Sequence, residues 1–530
     1  MSVTVPRVPA VLIDGAPLPV PAMRQLRSMR VAARLDVPTQ CEIVFSAAPG
    51  AAAIPPWART GTALRVWLTG STDLLFTGEV TCVEVEYAAD GAALLRLRAY
   101  DPLHRLRRRQ QLRVFTSVTA AELADQLCAG LGLVVDATAD GPRLDRLLQH
   151  RNNDLDLLLQ TTGRAGLHVT VDQDRLRLVT LDGFGDPVEL ALGRNVFALR
   201  ISTNLDQAAG ATAVRGWRPG LAEPIEQRAD RARSGRRIPL RPEPGQVGAD
   251  GVRTILNQPV RSDDEAAALA QAGLDARVAA LVTAAGTADG DPALRPGRRI
   301  SLTGVATPVA GVYVLTEVVH TVDANGHLTH FSTAPPDPPP TVVPPAPATV
   351  TLGLVTDIDD PDRLGRIQVN LPAYGGLDAG WLEVTAPGAG RGRGIVALPD
   401  PGDTVLVVLP GGEPSAGLVL GSLFGAIEPY DSGVVGGRSR RWSMRTSTGQ
   451  SIVIDDDGRS LRLATDYGSR LEITPERTTL HAASELVLSA PGRAMVVRAG
   501  TVDFQHAGLA AEAADAAGRA ATGRTGGGGG

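Results

Sequence analysis

The chain has 530 residues, 43% of them hydrophobic, which is room for about three or four domains with cores of their own. Its 52 basic and 57 acidic residues leave a net charge of -5, and every basic residue is arginine. That balance gives nucleic acid no electrostatic footprint, and the absence of lysine beside so much Ala, Gly and Pro reads as the codon bias of a GC-rich genome. There is neither a run of eighteen apolar residues nor a charged-then-apolar leader, so no membrane span or secretory signal is expected. The odd, widely spaced Cys41, Cys82 and Cys128 fit free thiols in a reducing compartment.

In chain order, residues 1 to about 115 read as strands: Val11 to Ile13 before an Asp14-Gly15 turn, Cys41 to Phe45, Leu64 to Leu68, Leu74 to Tyr87 and Leu94 to Tyr100, with an Asp90-Gly91 turn between the last two. Thr119 and Glu122 form a capping box for a helix presenting Leu123, Leu127 and Leu131, ended by Gly130 and Gly132. Asn153 caps a second helix carrying Leu155, Leu158 and Leu159, and strands return at Leu167 to Val171 and Leu176 to Leu181. From Gly216 to Gly251 the chain is rich in Arg, Pro and Gly and predicts a long surface loop, with the basic cluster Arg228 to Arg237 as a solvated face. Ser262 and Glu265 open an Ala-rich helix running to Ala285. Strands around Arg299 to Thr303 and Tyr313 to Val322 follow, and an Asn325-Gly326 turn leads to Leu328 to Ser332.

Pro335 to Pro347 holds eight prolines and no core, and so marks a semi-rigid spacer. Beyond it come five strand-like runs: Thr351 to Thr356, Arg366 to Leu371, Trp381 to Thr385, Gly394 to Leu398 with Thr404 to Leu409, and Gly417 to Leu423. Five short strands in this length suggest a small Greek-key barrel of the OB type. The expected domains are thus 1–334, a Pro-rich linker 335–349, a barrel 350–427, a Gly/Arg linker 428–441, a repetitive segment 442–506 and an Ala/Gly-rich tail 507–530.

The repetitive segment consists of short apolar doublets with little apolar between them: Ile452/Ile454, Leu461/Leu463, Leu471/Ile473, Leu480/Ala482, Leu486/Leu488, Met495/Val497 and Val502/Phe504. Each spacing of two puts both side chains on one face of a strand. Burying two aliphatic side chains gains roughly 3–6 kcal/mol, whereas ordering nine residues of backbone costs on the order of 9–18 kcal/mol. Such strands become stable when copies stack and wrap, so an intertwined, trimeric β-prism is expected, with Ile452, Ile454, Leu461, Leu463, Leu471, Ile473, Leu486, Leu488, Val502 and Phe504 as its axial core and the backbone pairing between chains. The alternative is a two-sheet domain within one chain. The overall class is mainly β, with helices inserted in the first domain.

Catalytic chemistry finds little footing. His320, His327 and His330 near the hairpin could ligate a metal, but no acidic or Cys partner stands at ligand spacing, and a polar hairpin face is the simpler reading. Asp455, Asp456 and Asp457 could hold a hard cation or act as paired carboxylates; a solvated turn between two doublets is simpler. No nucleophile-elbow, zinc-protease, Walker or dinucleotide fingerprint occurs. Tyr374, Trp381 and Phe424, the aromatics of the barrel region, do not share a strand face, which argues against single-stranded nucleic acid.

The run GLVTDIDDPDRLGRIQVNLP, with WLEVTAPGAGRGRG and ALPDPGDTVLVVLPGGEPSAGLVLGSLF after it, closely resembles the OB domain of the VgrG and phage baseplate-spike family. The matching motifs are Asp360-Pro361, Gly365-Arg366-Ile367, Pro399-Asp400-Pro401-Gly402-Asp403 and Leu420-Gly421-Ser422-Leu423. FTGEVTCVEVEY from Phe76 and LRLRAYDPLHRLRR from Leu95 resemble the hub portion of the same family, also called phage late control D, and LRPGRRISLTGV from Leu294 sits where such proteins have a closing strand. The resemblance implies a trimeric, non-enzymatic hub with two similar barrels per chain, an OB collar and a β-helical needle, most like the spike of extracellular contractile injection particles. It further implies as partners the inner tube and its initiator proteins, other baseplate proteins, a PAAR-type tip protein docking around Val502, Phe504 and His506, and a cargo effector. No cofactor and no nucleic acid are implied, and a target membrane only transiently during firing. Assembly would be cytoplasmic, in a particle that can be released. A receptor-binding tail protein or adhesin and a tail-associated peptidoglycan hydrolase are the rival readings; 426 to 441 is too short to hold an inserted lysozyme.

Overall fold

Alternating burial organises the first 330 residues: along Ala93–Tyr100 every second side chain is buried, with Leu95, Leu97 and Ala99 pointing inward. The computed structural model describes residues 9–47, 54–71, 73–89, 92–218, 223–248, 251–256, 260–336 and 348–504. The Asp90-Gly91 turn, His506, most of the Pro-rich linker and the tail 507–530 lie outside the described residues. The chain divides into two units, Met1–Gly425 and Ala426–Gly530.

In the first unit an eleven-stranded sheet runs in the spatial order Val196–Thr203, Val282–Asp289, Gly326–Ser332, Glu317–Asp323, Leu26–Arg34, Val37–Ala47, Ala93–Tyr100, Leu74–Tyr87, Ala63–Leu68, Pro9–Ile13 and Ala16–Pro17. The junction is the antiparallel pairing of Leu26–Arg34 with Glu317–Asp323. One core lies on the early strands, around Phe45, Leu64, Val66 and Leu97. A second lies on the late strands, around Ile300, Tyr313, Leu315 and Phe331. The two similar barrels expected per chain are not seen as closed barrels among the described residues of the hub: its two β cores share one open, continuous sheet.

Between them sits a helical insert. Thr119 Oγ1 accepts from the Glu122 amide and the Glu122 carboxylate accepts from the Thr119 amide, so the capping box is complete and starts the helix Ala120–Cys128. Asn153 caps Asp154–Arg164 through its Oδ1, which accepts from the Asp156 amide, and both helices bury their leucines against Val169, Leu176 and Leu178. The long loop expected from Gly216 is instead largely sheet: Ala211–Arg218 pairs with Glu223–Ala229 and with Val252–Ile255, and the helix Asp263–Leu281 covers them through Ala266, Ala270 and Leu274. Nor is the basic cluster wholly solvated. The Arg236 guanidinium reaches under the end of that helix to the carbonyls of Ala279 (3.2 Å) and Val282 (2.9 Å).

Helix Asp263–Leu281 ends four residues before the expected Ala285, because Val282–Asp289 is recruited as a strand between two neighbours. Likewise the expected run Tyr313 to Val322 is two strands, Gly311–Val314 and Glu317–Asp323, belonging to different sheets.

The five strands Ala348–Asp357, Ile367–Leu371, Leu377–Val384, Leu418–Leu423 and Thr404–Pro410 close in that order into a barrel. Val355, Ile367, Val369, Leu382, Val405 and Val407 fill it. Residues 394–398 are not a strand: a bridge between Gly390 and Arg393 turns the chain there and leaves Ile395 and Val396 exposed.

The second unit begins with a small hairpin, Val434–Val435 against Arg438–Ser439, where a plain linker was expected. Asp431 clamps Arg441 through both carboxylate oxygens (2.7 and 3.0 Å). Next comes a five-stranded antiparallel meander, Arg441–Arg445, Ser451–Asp455, Ser460–Ala464, Arg470–Ile473 and Thr478–His481.

Candidate assembly surfaces

The meander is built so that its doublets align. Trp442 stands opposite Ile454, Ile454 opposite Leu461 and Leu461 opposite Ile473. A second row runs Met444, Ile452, Leu463, Leu471 and Leu480. These nine side chains share one face, because residues directly opposite in a ladder point the same way. The other face carries Ser443, Val453, Arg462, Glu472 and Thr479 in one row, and Arg445, Ser451, Ala464, Arg470 and His481 in the next.

Nothing among the described residues of the second unit covers the apolar face: Trp442 is 70% exposed, Ile454 49% and Leu480 55%. Full burial of such side chains is worth about 1.5–3 kcal/mol each, so much of that gain is unrealised in one chain. A contiguous exposed apolar patch of this kind marks an interaction surface.

Six of the ten expected axial residues, Ile452, Ile454, Leu461, Leu463, Leu471 and Ile473, are therefore brought together. Leu486, Leu488, Val502 and Phe504 are not, since no strand follows Thr478–His481 among the described residues and all four are exposed, Phe504 by 93%. One correction follows. Between 441 and 481 the backbone hydrogen bonds run within the chain, hairpin by hairpin, because each turn is short enough to return the strand onto its predecessor. Beyond His481 the doublets have no ladder neighbour among the described residues of this one chain, where their small apolar gain does not hold a strand. Met444 was missed, although Trp442-x-Met444 is itself a doublet.

The turns between the strands use local chemistry. Asp455 Oδ1 accepts from the amides of Asp457 (2.9 Å) and Gly458 (3.0 Å), which makes the acidic triplet a side-chain-closed turn. Arg440 lies 3.5 Å from the Asp457 carboxylate.

The histidines are not a polar face. His320 is buried, with Nδ1 3.1 Å from His327 Nε2 and 3.0 Å from Thr329 Oγ1, and Nε2 3.1 Å from the Leu294 carbonyl. Burial pushes its pKa down to about 3, so it is a neutral core histidine. His330 pairs instead with Thr287 on the sheet. Among the described residues no group of three or more His, Cys, Asp or Glu could hold a metal.

The barrel has two unlike sides. Its outward residues on Ile367–Leu371 and Leu377–Val384 include Gln368, Asn370, Asp378 and Glu383, and this side meets the rest of the first unit. Arg146 donates to the Asp378 carbonyl (2.6 Å) and stands 3.1 Å from its carboxylate, Arg151 donates to the Tyr374 hydroxyl (3.2 Å), and Arg261 donates to Ser415. Tyr374 is thus engaged by the hub, and no row of aromatics for stacking bases forms. The remaining strands turn aliphatic residues outward.

A two-core β hub, a closed five-stranded barrel docked on it and a meander with one bare apolar face define a structural assembly protein of the tail-spike class. The chain belongs to the phage tail baseplate hub (GPD) family, whose model matches residues 34–326. Residues 351–424 match the type VI secretion system/phage-baseplate injector OB domain. The fold is similar to that of the Escherichia coli c3393 protein, described as a component of the type VI secretion system with structural similarity to the T4 bacteriophage tail proteins gp27 and gp5. The likeness has a TM-score of 0.52 at 15% identity and covers 78% of this chain and 99% of that one. It is also similar to a chain of the lidded Francisella PdpA-VgrG complex, at a TM-score of 0.52 and 9% identity, covering 89% of this chain and 79% of that one. A 43 kDa tail protein of prophage MuSo2 from Shewanella oneidensis matches at 16% identity and a TM-score of 0.49, covering 62% of this chain and 97% of that one. No curated protein matches the chain in sequence.

Proposed function

We propose that this chain is the central spike of a contractile, phage-tail-like injection particle: a homotrimer whose hub starts the inner tube, whose barrel forms a collar and whose meander begins a needle carrying a separate tip. The observation that carries the reading is the bare apolar face of residues 441–481. Three such faces turned to a common axis would bury Trp442, Met444 and the doublets while leaving the arginines and acids of the opposite face in water. The exposed doublets from Leu486 to Phe504 would gain ladder partners from the neighbouring copies and continue the prism. Two β cores per hub give three chains six near-equivalent surfaces, which is how a threefold spike can seat a sixfold tube without a sixfold protein. The role is mechanical, and assembly is proposed to take place in the cytoplasm before any release of the particle.

Size-exclusion chromatography with light scattering tests this. The purified chain is expected at three times 55.2 kDa, with a protease-resistant fragment covering 441–504. Leu471→Asp with Ile473→Asp would place unpaired charge at the axis, at a cost of several kcal/mol per group, and is expected to yield monomer. A variant that stays trimeric with its needle protected removes the axial core from the proposal.

A further inference from the structure

Within the hub, Arg236 carries a fork of donors that no acceptor among the described residues takes up. Its Nη1 is engaged at the end of the helix Asp263–Leu281, donating to the carbonyls of Ala279 (3.2 Å) and Val282 (2.9 Å), where the negative end of the helix dipole lies. The N–H groups of Nε and Nη2, on the other edge of the guanidinium plane, are left over and run parallel. Neither nitrogen is sealed from solvent. No carboxylate among the described residues pairs with this guanidinium; the ionisable group facing it is the phenol of Tyr313, which donates to the Val309 carbonyl (2.8 Å). Burial disfavours the charge and holds the Arg236 pKa below its ordinary value.

The guanidinium lines an open cleft of about 290 Å³ together with Ser234, Thr333, Leu181 and Val314. Ser234 Oγ accepts from the Arg236 amide (3.2 Å) and Thr333 Oγ1 accepts from the Ala284 amide (2.8 Å), so each hydroxyl keeps its proton to donate. Elsewhere the chain shows what such a fork holds. Arg366 gives Nε to Asp360 Oδ2 (3.1 Å) and Nη2 to Oδ1 (2.6 Å), and Arg441 gives Nε and Nη2 to the two oxygens of Asp431 (2.7 and 3.0 Å).

We infer that the cleft at Arg236 is a binding site for a carboxylate ligand, held bidentately by Nε and Nη2 with the hydroxyls of Ser234 and Thr333 beside it. Charge and shape select that class. A single guanidinium, already drawn on by two helix-end carbonyls, matches one negative charge, whereas a phosphate dianion would leave a charge unbalanced against those carbonyls. A planar group with two oxygens fits two parallel donors, and chloride does not. Either a free small acid or an acidic side chain of a partner protein supplies this chemistry. The site lies within one chain and stands independently of the oligomeric state.

Phenylglyoxal modification of the full chain, mapped by peptide mass spectrometry, reads the fork because the reagent condenses with free guanidinium N–H groups. Arg237, exposed and next in the chain, is the internal reference. In sodium acetate, against sodium chloride of equal ionic strength, Arg236 is expected to react at least about threefold more slowly, as for a ligand at roughly twice its dissociation constant. Arg237 should react as before. Ser234→Asp, which sets a carboxylate beside the fork, is expected to protect Arg236 without acetate, with circular dichroism confirming that the variant folds. A tetraglutamate peptide that protects at a far lower carboxylate concentration than acetate assigns the ligand to an acidic partner; equal or weaker protection per carboxylate assigns it to a free small acid. Arg236 reacting as fast with acetate and with the peptide as in chloride overturns the site. So does an Arg236 that fails to react in chloride, since its fork is then closed.

Discussion

At the scale of single residues, the motifs that carried the family resemblance are structural staples. Asp360 Oδ2 accepts from the Leu364 amide (2.9 Å), from Arg366 Nε (3.1 Å) and from the Arg366 amide, while Oδ1 accepts from the Asp362 amide and from Arg366 Nη2 (2.6 Å). The Arg366 guanidinium and these amides hold the Asp360 carboxyl far below the usual carboxylate range. A carboxyl depressed in the folded state adds stability above its unfolded pKa of about 4, and that stability is lost only as pH falls below it. Arg366→Ala should strand the carboxylate and cost the barrel about 2–4 kcal/mol in chemical denaturation.

Asp101 behaves the opposite way. It accepts from the amides of Thr39 (2.7 Å) and Leu103 (3.0 Å), and burial pushes its pKa up to about 6. The folded hub then holds a proton that the unfolded chain releases near pH 4, so stability should fall by roughly 2–3 kcal/mol as pH rises from 4 to 6 and stay level above. Asp101→Asn should flatten that slope; an unchanged slope in equilibrium unfolding would assign it to another group.

At the scale of elements, what could be read from the sequence was what is encoded locally. The cap residues Thr119, Glu122 and Asn153, the turn Asn325-Gly326 and the alternation of Leu74–Tyr87 and Ala93–Tyr100 all signal their structure within a few residues. What was not legible depended on partners far along the chain. Leu26–Arg34 contains Arg27, Arg30, Ala32, Ala33 and Arg34 and looks weakly apolar, yet it is a central strand because Val37–Ala47 and Glu317–Asp323 flank it. The run Val282 to Ala285 pairs two β-branched residues with two alanines and is held as a strand by two neighbours, and that pairing outweighs the small helix preference of alanine. The doublets were legible as a one-faced pattern, but the sheet they form was not, since spacing alone does not say whether the ladder partner belongs to the same chain. The last doublets bear on the tip. If Val502 and Phe504 end the prism, truncation after Ala499 should abolish co-purification of a separately expressed PAAR-type tip protein. Removal of residues 507–530 alone should leave it intact. Loss of the tip in the shorter deletion would move the docking surface into the tail.

At the scale of the whole molecule, the sheet that joins the two hub cores ties together strands from opposite ends of the first 330 residues. Until Glu317–Asp323 has been made, Leu26–Arg34 has a neighbour only in Val37–Ala47, and its other edge is a row of unsatisfied amides and carbonyls. At 5–20 residues per second, a ribosome needs roughly 15–60 s to cover the interval. For that time the early core, with Phe45, Leu64 and Leu97, stands beside an open strand that any neighbouring nascent chain could pair with. The yield of soluble protein is therefore expected to depend on translation speed and on chaperone supply during synthesis. A translation-arrest sequence placed before residue 317 should produce aggregates, whereas one placed far enough beyond residue 332 for Glu317–Asp323 to have left the ribosome should not.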